Sequence, residues 1–368
     1  MFAPVRQPLS LRPTFSPGLI ASAAVVSVMF AATAFVFPPL VERFGLTTAQ
    51  VGLYSTVQVA AFSIASFGAG RLLRTSRAIL VLSALALVVA NFMSGLAPGF
   101  TELVAMRGLA GLAAGTINWI AWAEAARQPA AMGRVAAIGP VAAAAGSIAF
   151  APLIGGFGYE SVFFLLAILG GVSLLLPIDV ERGTRVGRQV SDSRSNLVLL
   201  VAMAGMTLFG SAAFVFIGLH LDGLDAPDWV LSVAMTGNAL FGIAGTRVTG
   251  RRAWPWFTAV AVSVAMSFVT PFAWLSVLGL WLWGFAFWVT VPKVLRLLEE
   301  RSDRPGERTG DAQGIMALGR IVGPVTGGGL EAAGGFVLLG AVSALGIAAS
   351  GAAVGAVERY RSKETGDV

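Results

Sequence analysis

The sequence predicts an all-α membrane protein of about twelve transmembrane helices, arranged as two pseudo-symmetric six-helix bundles. Its composition, its repeated apolar runs and an internal repeat all lead to this prediction. Of the 368 residues, 56% are hydrophobic and only 12% are charged, and the mean hydropathy is +0.81. A soluble domain of this length carries about a quarter of its residues as charged side chains. Most of the surface is therefore expected to face lipid.

Apolar runs of transmembrane length repeat along the whole chain. A bilayer core of about 30 Å requires about 20 apolar residues per helix, and lipid forces each segment to bond its own backbone. The predicted spans are Leu19–Leu40, Ala49–Gly70, Ala78–Ala97, Thr101–Ala123, Val135–Phe157, Ser161–Ile178, Ser195–Leu221, Trp229–Thr246, Trp256–Thr270, Trp274–Pro292, Ala312–Leu330 and Gly334–Ala356.

An internal repeat supports a chain of two related halves. The segment Ser147–Gly156 in span 5 and the segment Gly319–Gly328 in span 11 share a proline followed by paired glycines, and half a chain length separates them. Such repeats are common in secondary transporters. The predicted organisation is an N-terminal tail (1–18), a first bundle (19–178), a polar linker (179–195), a second bundle (196–356) and a C-terminal tail (357–368).

The basic residues predict the orientation in the membrane. If the N-terminus is cytoplasmic, 22 of the 25 Lys and Arg residues fall in the tails or the inside loops. Only Arg43 falls outside, while Arg107 and Arg320 lie within spans. This distribution satisfies the positive-inside rule and predicts a multi-pass protein of the bacterial cytoplasmic (inner) membrane with both termini cytoplasmic. The basic excess is thus topological, and nucleic acid is not expected as a partner.

Several segments resemble motifs of the major facilitator superfamily. The pattern Gly319-x-x-x-Gly323-Pro324-x-x-Gly327-Gly328 is similar to motif C of that family, and span 5 carries a weaker copy around Pro152. The pattern Arg107-x-x-x-Gly111-x-x-x-Gly115 in span 4 is similar to motif B. The loops after spans 2 and 8 are similar to motif A, but they hold Leu72 and Thr246 where the motif has an aspartate.

The resemblance implies a secondary transporter that works by rocker-switch alternating access, without a cofactor. In the family, motif C in span 5 is typical of exporters, whereas the better copy here is in span 11, which leaves the direction of transport open. The missing aspartate of motif A belongs to a latch on the cytoplasmic side, so the working of that latch is in doubt. Proton coupling is likewise a family expectation.

Two arginines lie deep in predicted spans. Arg107 is about 9 Å into span 4 and Arg320 about 12 Å into span 11, at 1.5 Å per residue. A cation at such depth is costly and usually faces a cavity or a partner. Each arginine is either an anion contact or a structural residue bonded to neighbouring carbonyls, and we include both among the substrate-binding candidates.

Polar and aromatic residues suggest a solute cavity. Arg107, Gly111, Ala114, Asn118 and Trp122 share one face of span 4 at about 100° per residue. The remaining substrate-binding candidates are Asn238, Trp283 and Trp288. The alternative for the tryptophans is contact with lipid or anchoring at the membrane interface.

Small residues and prolines form the gating candidates. Helix backbones that slide past one another require small side chains, and prolines mark bends. The alternative is static close packing, which small residues also serve in membrane bundles. The gating candidates are Gly111, Gly115, Pro152, Gly155, Gly323, Pro324 and Gly327.

Carboxylates are absent from the middle of every predicted span. Glu124, at the end of span 4, is the one candidate for a coupling acid; the alternative is an interfacial partner for Arg127 or Arg134. The chain has no cysteine and a single histidine, His220, so no metal site is predicted. Phosphate-binding and catalytic motifs are also missing, which favours a transporter over a membrane enzyme.

Two arginines without a central acid favour transport of a small organic anion or an amphiphilic metabolite. A proton-coupled drug or metabolite efflux pump is the first alternative, and a non-transporting receptor or scaffold with the same fold is the second. The expected partners are a small-molecule substrate, membrane lipids and a coupling proton, and the expected state is a monomer.

Overall fold

The first six helices form the N-terminal half of the protein. The computed structural model describes residues 16–126, 129–180, 194–250, 252–300 and 305–365, and these residues form α-helices joined by short turns. The helices of this half are α1 (Pro17–Phe44), α2 (Thr48–Leu72), α3 (Arg77–Gly95), α4 (Phe100–Ala126), α5 (Pro129–Phe157) and α6 (Glu160–Leu175).

Six further helices form the C-terminal half. They are α7 (Arg194–Phe214), α8 (Ile217–Asp222), α9 (Asp228–Gly245), α10 (Trp254–Phe268), α11 (Ala273–Glu299) and α12 (Pro305–Thr365). Helices α7 and α8 together make one interrupted span, and α12 contains two. Within the described residues, eight helices are long and apolar enough to cross a membrane. The prediction of an all-α bundle of about twelve spans is confirmed.

A turn at two glycines folds α12 back on itself. Gly334 and Gly335 have non-helical backbone angles, and the φ of Gly335 is 69°, a region that favours glycine. Before the turn, Gly319 and Gly323 pack on α7 beside Thr207 and Ser211. After it, Gly346 packs beside Phe209 and Ser350 beside Gly205, so the contacts run along α7 in the reverse order. The two runs, 305–333 and 336–365, are therefore antiparallel.

Contacts between helix ends define two ends of the bundle. The Gly18 amide donates to the Pro177 carbonyl at 3.0 Å, so α1 begins where α6 ends. The Ala253 amide donates to Glu358 Oε1 at 2.7 Å, so α10 begins where α12 ends. We call this the terminal end, and the opposite one the distal end. The predicted linker lies almost entirely outside the described residues, and the predicted domain bounds stay a prediction.

Glycines allow helices to approach within each half. Gly111 and Gly115 of α4 lie directly against the backbone of α2, where a Cβ at either position would come within 2.9 Å of Ala61 or Ala65. In the C-terminal half, Gly245 lies against the backbone of α11 in the same way. Because lipid supplies no hydrophobic force between helices, such close van der Waals contact is a main source of their association.

The two halves touch at the distal end and also further along α2, where the Phe67 ring lies 3.2 Å from the Cβ position of Gly314 of α12. The rings of Phe37 and Phe216 lie 5.7 Å apart, measured between centroids. A Cβ on Gly52 of α2 would lie 2.9 Å from the Pro324 carbonyl oxygen of α12. Further contacts between the halves join Gly218 to Ala34, Gly328 to Ala49, and the Thr236 hydroxyl to the Ala144 carbonyl oxygen at 3.4 Å.

We expect Gly52→Val to weaken this distal contact, because the new side chain would meet the Pro324 backbone, which cannot rotate away. Since the chain has no cysteine, an Ala226→Cys substitution at the distal end provides a single thiol. Its rate of maleimide labelling should rise about tenfold in the Gly52→Val background. The matched control is Gly68→Val on the same helix, where no atom lies within 4 Å of the added Cβ. Equal labelling in both backgrounds would contradict the prediction.

Candidate functional site

The first run of α12 presents three different faces to its surroundings. Its glycine row, Gly319, Gly323 and Gly327, packs on α7. A second row, which faces α2, is formed by Gly314, Pro324 and Gly328. The third face is exposed and apolar, and it consists of Leu318, Val322 and Val325. This last face is the one that lipid covers.

Arg320 is exposed on the side opposite the lipid face. At about 100° per residue it falls between the row that faces α7 and the row that faces α2. Its side chain is nevertheless exposed. Arg320 therefore lies along the seam between the two halves, on the side of α12 that faces α7 and α2. Arg320 is also near the middle of the first run, about 20 Å from Gly334 at 1.5 Å per residue.

Arg320 has no hydrogen-bond or ion-pair partner among the described residues. A guanidinium carries five N–H donors and stays charged at any physiological pH. Such a group, deep in a membrane protein and away from its lipid face, can bind an anionic solute through charge-assisted hydrogen bonds.

Thr56 offers a second polar group on the same seam. It lies one helical turn after Gly52, on the side of α2 that contacts α12 through Gly52 and Phe67. Its hydroxyl oxygen is buried and has no partner within the described part of the chain. Sequence analysis missed Thr56, although its spacing from Gly52 was available as a signal.

Arg107, in contrast, is fully enclosed within the N-terminal half. Its Nε donates to Ser94 Oγ at 3.1 Å, and its Nη2 donates to Asn91 Oδ1 at 3.0 Å and to the Ala90 carbonyl at 3.2 Å. Nη2 also contacts Ser94 Oγ. The guanidinium carbon lies 4.9 Å from the centre of the Phe163 ring. These contacts favour the structural alternative for Arg107, and a role in substrate binding stays a prediction.

The other candidates on α4 lie toward its terminal end. Asn118 and Glu124 are half-buried, while Trp122 is 40% exposed. Glu124 has an interaction partner, and its role as a coupling acid stays a prediction. The face of α4 that was predicted to line one cavity is thus buried at Arg107. It becomes accessible only toward the terminal end of the bundle.

The candidates of the C-terminal half hold helices together. Asn238 of α9 donates to the Leu280 carbonyl of α11 at 2.7 Å. Trp283 is buried with its ring 5.5 Å from that of Phe214 of α7. The Trp288 ring packs against Gly242 of α9. These contacts hold α7, α9 and α11 together. They support a packing role for the three residues, and a role in lining a cavity stays a prediction.

The gating candidates fall into three groups. Gly111 and Gly115 pack inside the N-terminal half, and Gly323 and Gly327 pack on α7 inside the C-terminal half. Pro152 and Gly155 are exposed. Of the seven candidates, Pro324 is the one for which we find a contact with the opposite half among the described residues, through Gly52.

Four carboxylates approach one another at the distal end. A small cavity there is lined by residues of both halves, among them Pro38 of α1, Ala151 of α5, and Asp222 and Asp228 of the C-terminal half. Burial raises the pKa of Asp222 above its usual value, and the negative charges of Asp228, Glu42 and Asp225 raise it further.

This arrangement defines a class of protein: a membrane-spanning protein built from two helical bundles that meet along a seam. A family model for the Major Facilitator Superfamily matches residues 19–328. The chain belongs to this superfamily, and it is a multi-pass membrane transporter.

Solved structures with the same fold support this assignment. A bacterial homologue of the human lysosomal transporter Spinster, inward-facing and occupied, superposes with a TM-score of 0.72 at 13% identity, covering 93% of this chain and 95% of the other. The human organic anion transporter MFSD10 gives a TM-score of 0.68 at 12% identity, covering 95% and 100%. A nucleoside transporter gives 0.67 at 14% identity, covering 93% and 98%. No curated protein matches the chain by sequence.

The two deep arginines should differ in their effect on stability. We expect Arg107→Gln to lower the free energy of unfolding by about 2–4 kcal/mol, because it removes charge-assisted hydrogen bonds and leaves buried partners unpaired. Arg320→Gln should change it by less than about 1 kcal/mol, since no bond is lost. Thermal unfolding in one detergent, followed by tryptophan fluorescence, measures both. Equal changes in the free energy of unfolding in the two variants would contradict the prediction that Arg107 is bonded and Arg320 is not.

Asp222 should make stability depend on pH. Since its pKa is raised in the folded protein, the ionised form destabilises the folded state, and stability should increase as the pH falls through that pKa. We expect Asp222→Asn to raise the melting temperature at about pH 8 and to converge with the unmodified protein at about pH 4. Glu102→Gln, which removes another exposed distal carboxylate, is the control. A constant difference between Asp222→Asn and the unmodified protein at all pH values would refute the prediction.

Proposed function

We propose that this transporter moves a small organic anion, and that Arg320 is the residue that binds it. The observation that carries the proposal is an exposed arginine in the middle of a membrane run, on the side away from lipid, with no hydrogen-bond or ion-pair partner among the described residues. A guanidinium so placed attracts an anion and repels a cation. Carboxylate and phosphate groups match its planar pair of N–H donors, so a solute with one such group is the best fit.

The alternating-access cycle follows from where the halves touch. Contacts at the distal end hold the halves together there, so a solute released on the distal side requires these contacts to part. Binding of an anion neutralises Arg320 and lowers the cost of enclosing it away from water. In this proposal the anion thus enables the seam to close around it, and transport of the empty, charged carrier is slow.

The remaining parts of the proposal concern the setting of the protein. We place it in a bacterial inner membrane with the terminal end in the cytoplasm, on the distribution of basic residues, and we take it to act as a monomer. A coupling proton would be carried by Glu124. Among the related structures above, the organic anion transporter fits the proposed substrate, although other members of the fold carry other solutes.

Transport by reconstituted protein tests the proposal. Proteoliposomes should take up a labelled small organic anion. The comparison is a panel of other labelled solutes, which includes sugars and lipophilic cations and should not be taken up. We expect Arg320→Gln to reduce anion transport at least about tenfold, the equivalent of one charge-assisted interaction. Arg320→Lys, which keeps the charge, should retain part of the activity.

The control variant is Arg359→Gln, which removes one positive charge from an exposed residue at the terminal end. It should transport at the unmodified rate. Full anion transport by Arg320→Gln would overturn the role of Arg320. Transport of lipophilic cations instead of anions would favour the drug-efflux alternative, and failure to transport any solute on the panel would favour the receptor or scaffold.

A further inference from the structure

A second polar cluster lies inside the N-terminal half, away from the seam. It consists of Tyr54 and Gln58 of α2, Asn91 of α3 and Arg107 of α4, and we call it the Arg107 cluster. All four side chains have no exposed surface. Tyr54 and Gln58 are one helical turn apart and so share a face of α2.

Asn91 and Tyr54 adjoin the Arg107 guanidinium, and Gln58 lies one turn beyond Tyr54 on α2. Asn91 Oδ1 accepts from Arg107 Nη2 at 3.0 Å, and the guanidinium carbon lies 5.9 Å from the centre of the Tyr54 ring. Gly111, one turn beyond Arg107, lies against the backbone of Gln58. A side chain on a helix points back toward the N-terminus, which directs Gln58 to the level of Tyr54.

Unsatisfied donors dominate this cluster. Arg107 Nη1, Asn91 Nδ2, Gln58 Nε2 and the Tyr54 hydroxyl oxygen have no hydrogen-bond partner of good geometry among the described residues, and neither has Gln58 Oε1. Three NH2 groups thus stand against two oxygens that can accept, the Gln58 carbonyl oxygen and the Tyr54 hydroxyl, of which the hydroxyl interacts with Arg107. Buried polar groups are normally hydrogen-bonded. This number of unsatisfied polar groups in one place therefore requires an explanation.

The charge of the cluster is also uncompensated. Every acceptor that bonds Arg107 is a neutral oxygen, and Arg107 has no ion-pair partner in the described part of the chain. Because an arginine does not lose its proton, a full positive charge remains enclosed at membrane depth. The rings of Phe163 and Tyr54 offset only part of this cost.

We infer that the Arg107 cluster binds one small inorganic anion of the size and charge of chloride. Such an ion accepts hydrogen bonds from several donors at once and neutralises the guanidinium. A water molecule would satisfy donors but leave the charge, and a cation would be repelled. The complete enclosure of all four side chains excludes a solute of metabolite size, so this site is separate from the proposed substrate site at Arg320.

Thermal unfolding of the full chain in detergent tests this inference. The probe is sodium chloride, compared with sodium gluconate at the same pH and ionic strength, in the unmodified protein and in Arg320→Gln, which lacks the guanidinium that the gluconate carboxylate could bind at the seam. An ion that binds the folded state raises the melting temperature in a saturable way. We expect such a rise with chloride, and with bromide in its place. If crystals are grown in bromide, its anomalous signal should lie between Gln58, Asn91 and Arg107.

Variants separate the cluster from other effects of salt. Since Arg107 variants are expected to be destabilised, the main variant is Gln58→Leu, which should weaken the apparent chloride affinity at least about tenfold. Ser343→Ala, which removes another buried unpaired hydroxyl in the C-terminal half, should leave that affinity unchanged. Identical melting in chloride and gluconate, or a full chloride response in Gln58→Leu, would overturn the inference. Loss of the response in Arg320→Gln would overturn it too, since chloride would then act at the seam.

Discussion

The high cost of a positive charge at membrane depth governs both sites of this protein. A guanidinium cannot escape this cost by deprotonation, so its surroundings must supply either bonds or access to water. The protein uses both solutions. Arg107 is surrounded by neutral oxygens and aromatic rings. Arg320 has no hydrogen-bond or ion-pair partner among the described residues, and its side chain is exposed on the side away from the apolar face of α12. The same residue type thus occurs in two different surroundings.

Glycine rows make both arrangements possible. They bring α4 against α2 and the first run of α12 against α7, with backbone atoms in direct contact. A helix held this closely cannot rotate without losing its contacts, so the direction of each remaining side chain is fixed. Arg320 faces the seam because Gly319 and Gly323, on either side of it, face α7. The glycine rows of α4 and α12 therefore determine which way the neighbouring side chains point. Any part that these glycines have in gating is additional.

The fold could be predicted from the sequence far better than the site. Length, apolar runs and the repeat determine the spans, because lipid leaves helices as the solution for such a chain. The direction in which a side chain points depends on which neighbouring helices its own helix contacts. The sequences of twelve apolar helices contain little information about these contacts. Arg107 and Arg320 looked alike in sequence for this reason. Asn238 and Trp283 are polar or aromatic as a cavity would require, yet they make contacts between helices, a use that their residue types serve equally well. Gln58 and Thr56 drew no attention because single polar residues are frequent in membrane helices.

A continuous series of aromatic rings connects the distal contact with the interior of the N-terminal half. Phe216, directly before α8, packs against Phe37. The Phe37 ring packs in turn against Tyr54, with 5.7 Å between the ring centroids. Tyr54 lies beside the Arg107 guanidinium. In the proposed cycle the halves part at the distal end, which would remove the outer neighbour of Phe37 and with it part of the packing on Tyr54. The polar interior of one bundle would then respond to the motion between the bundles.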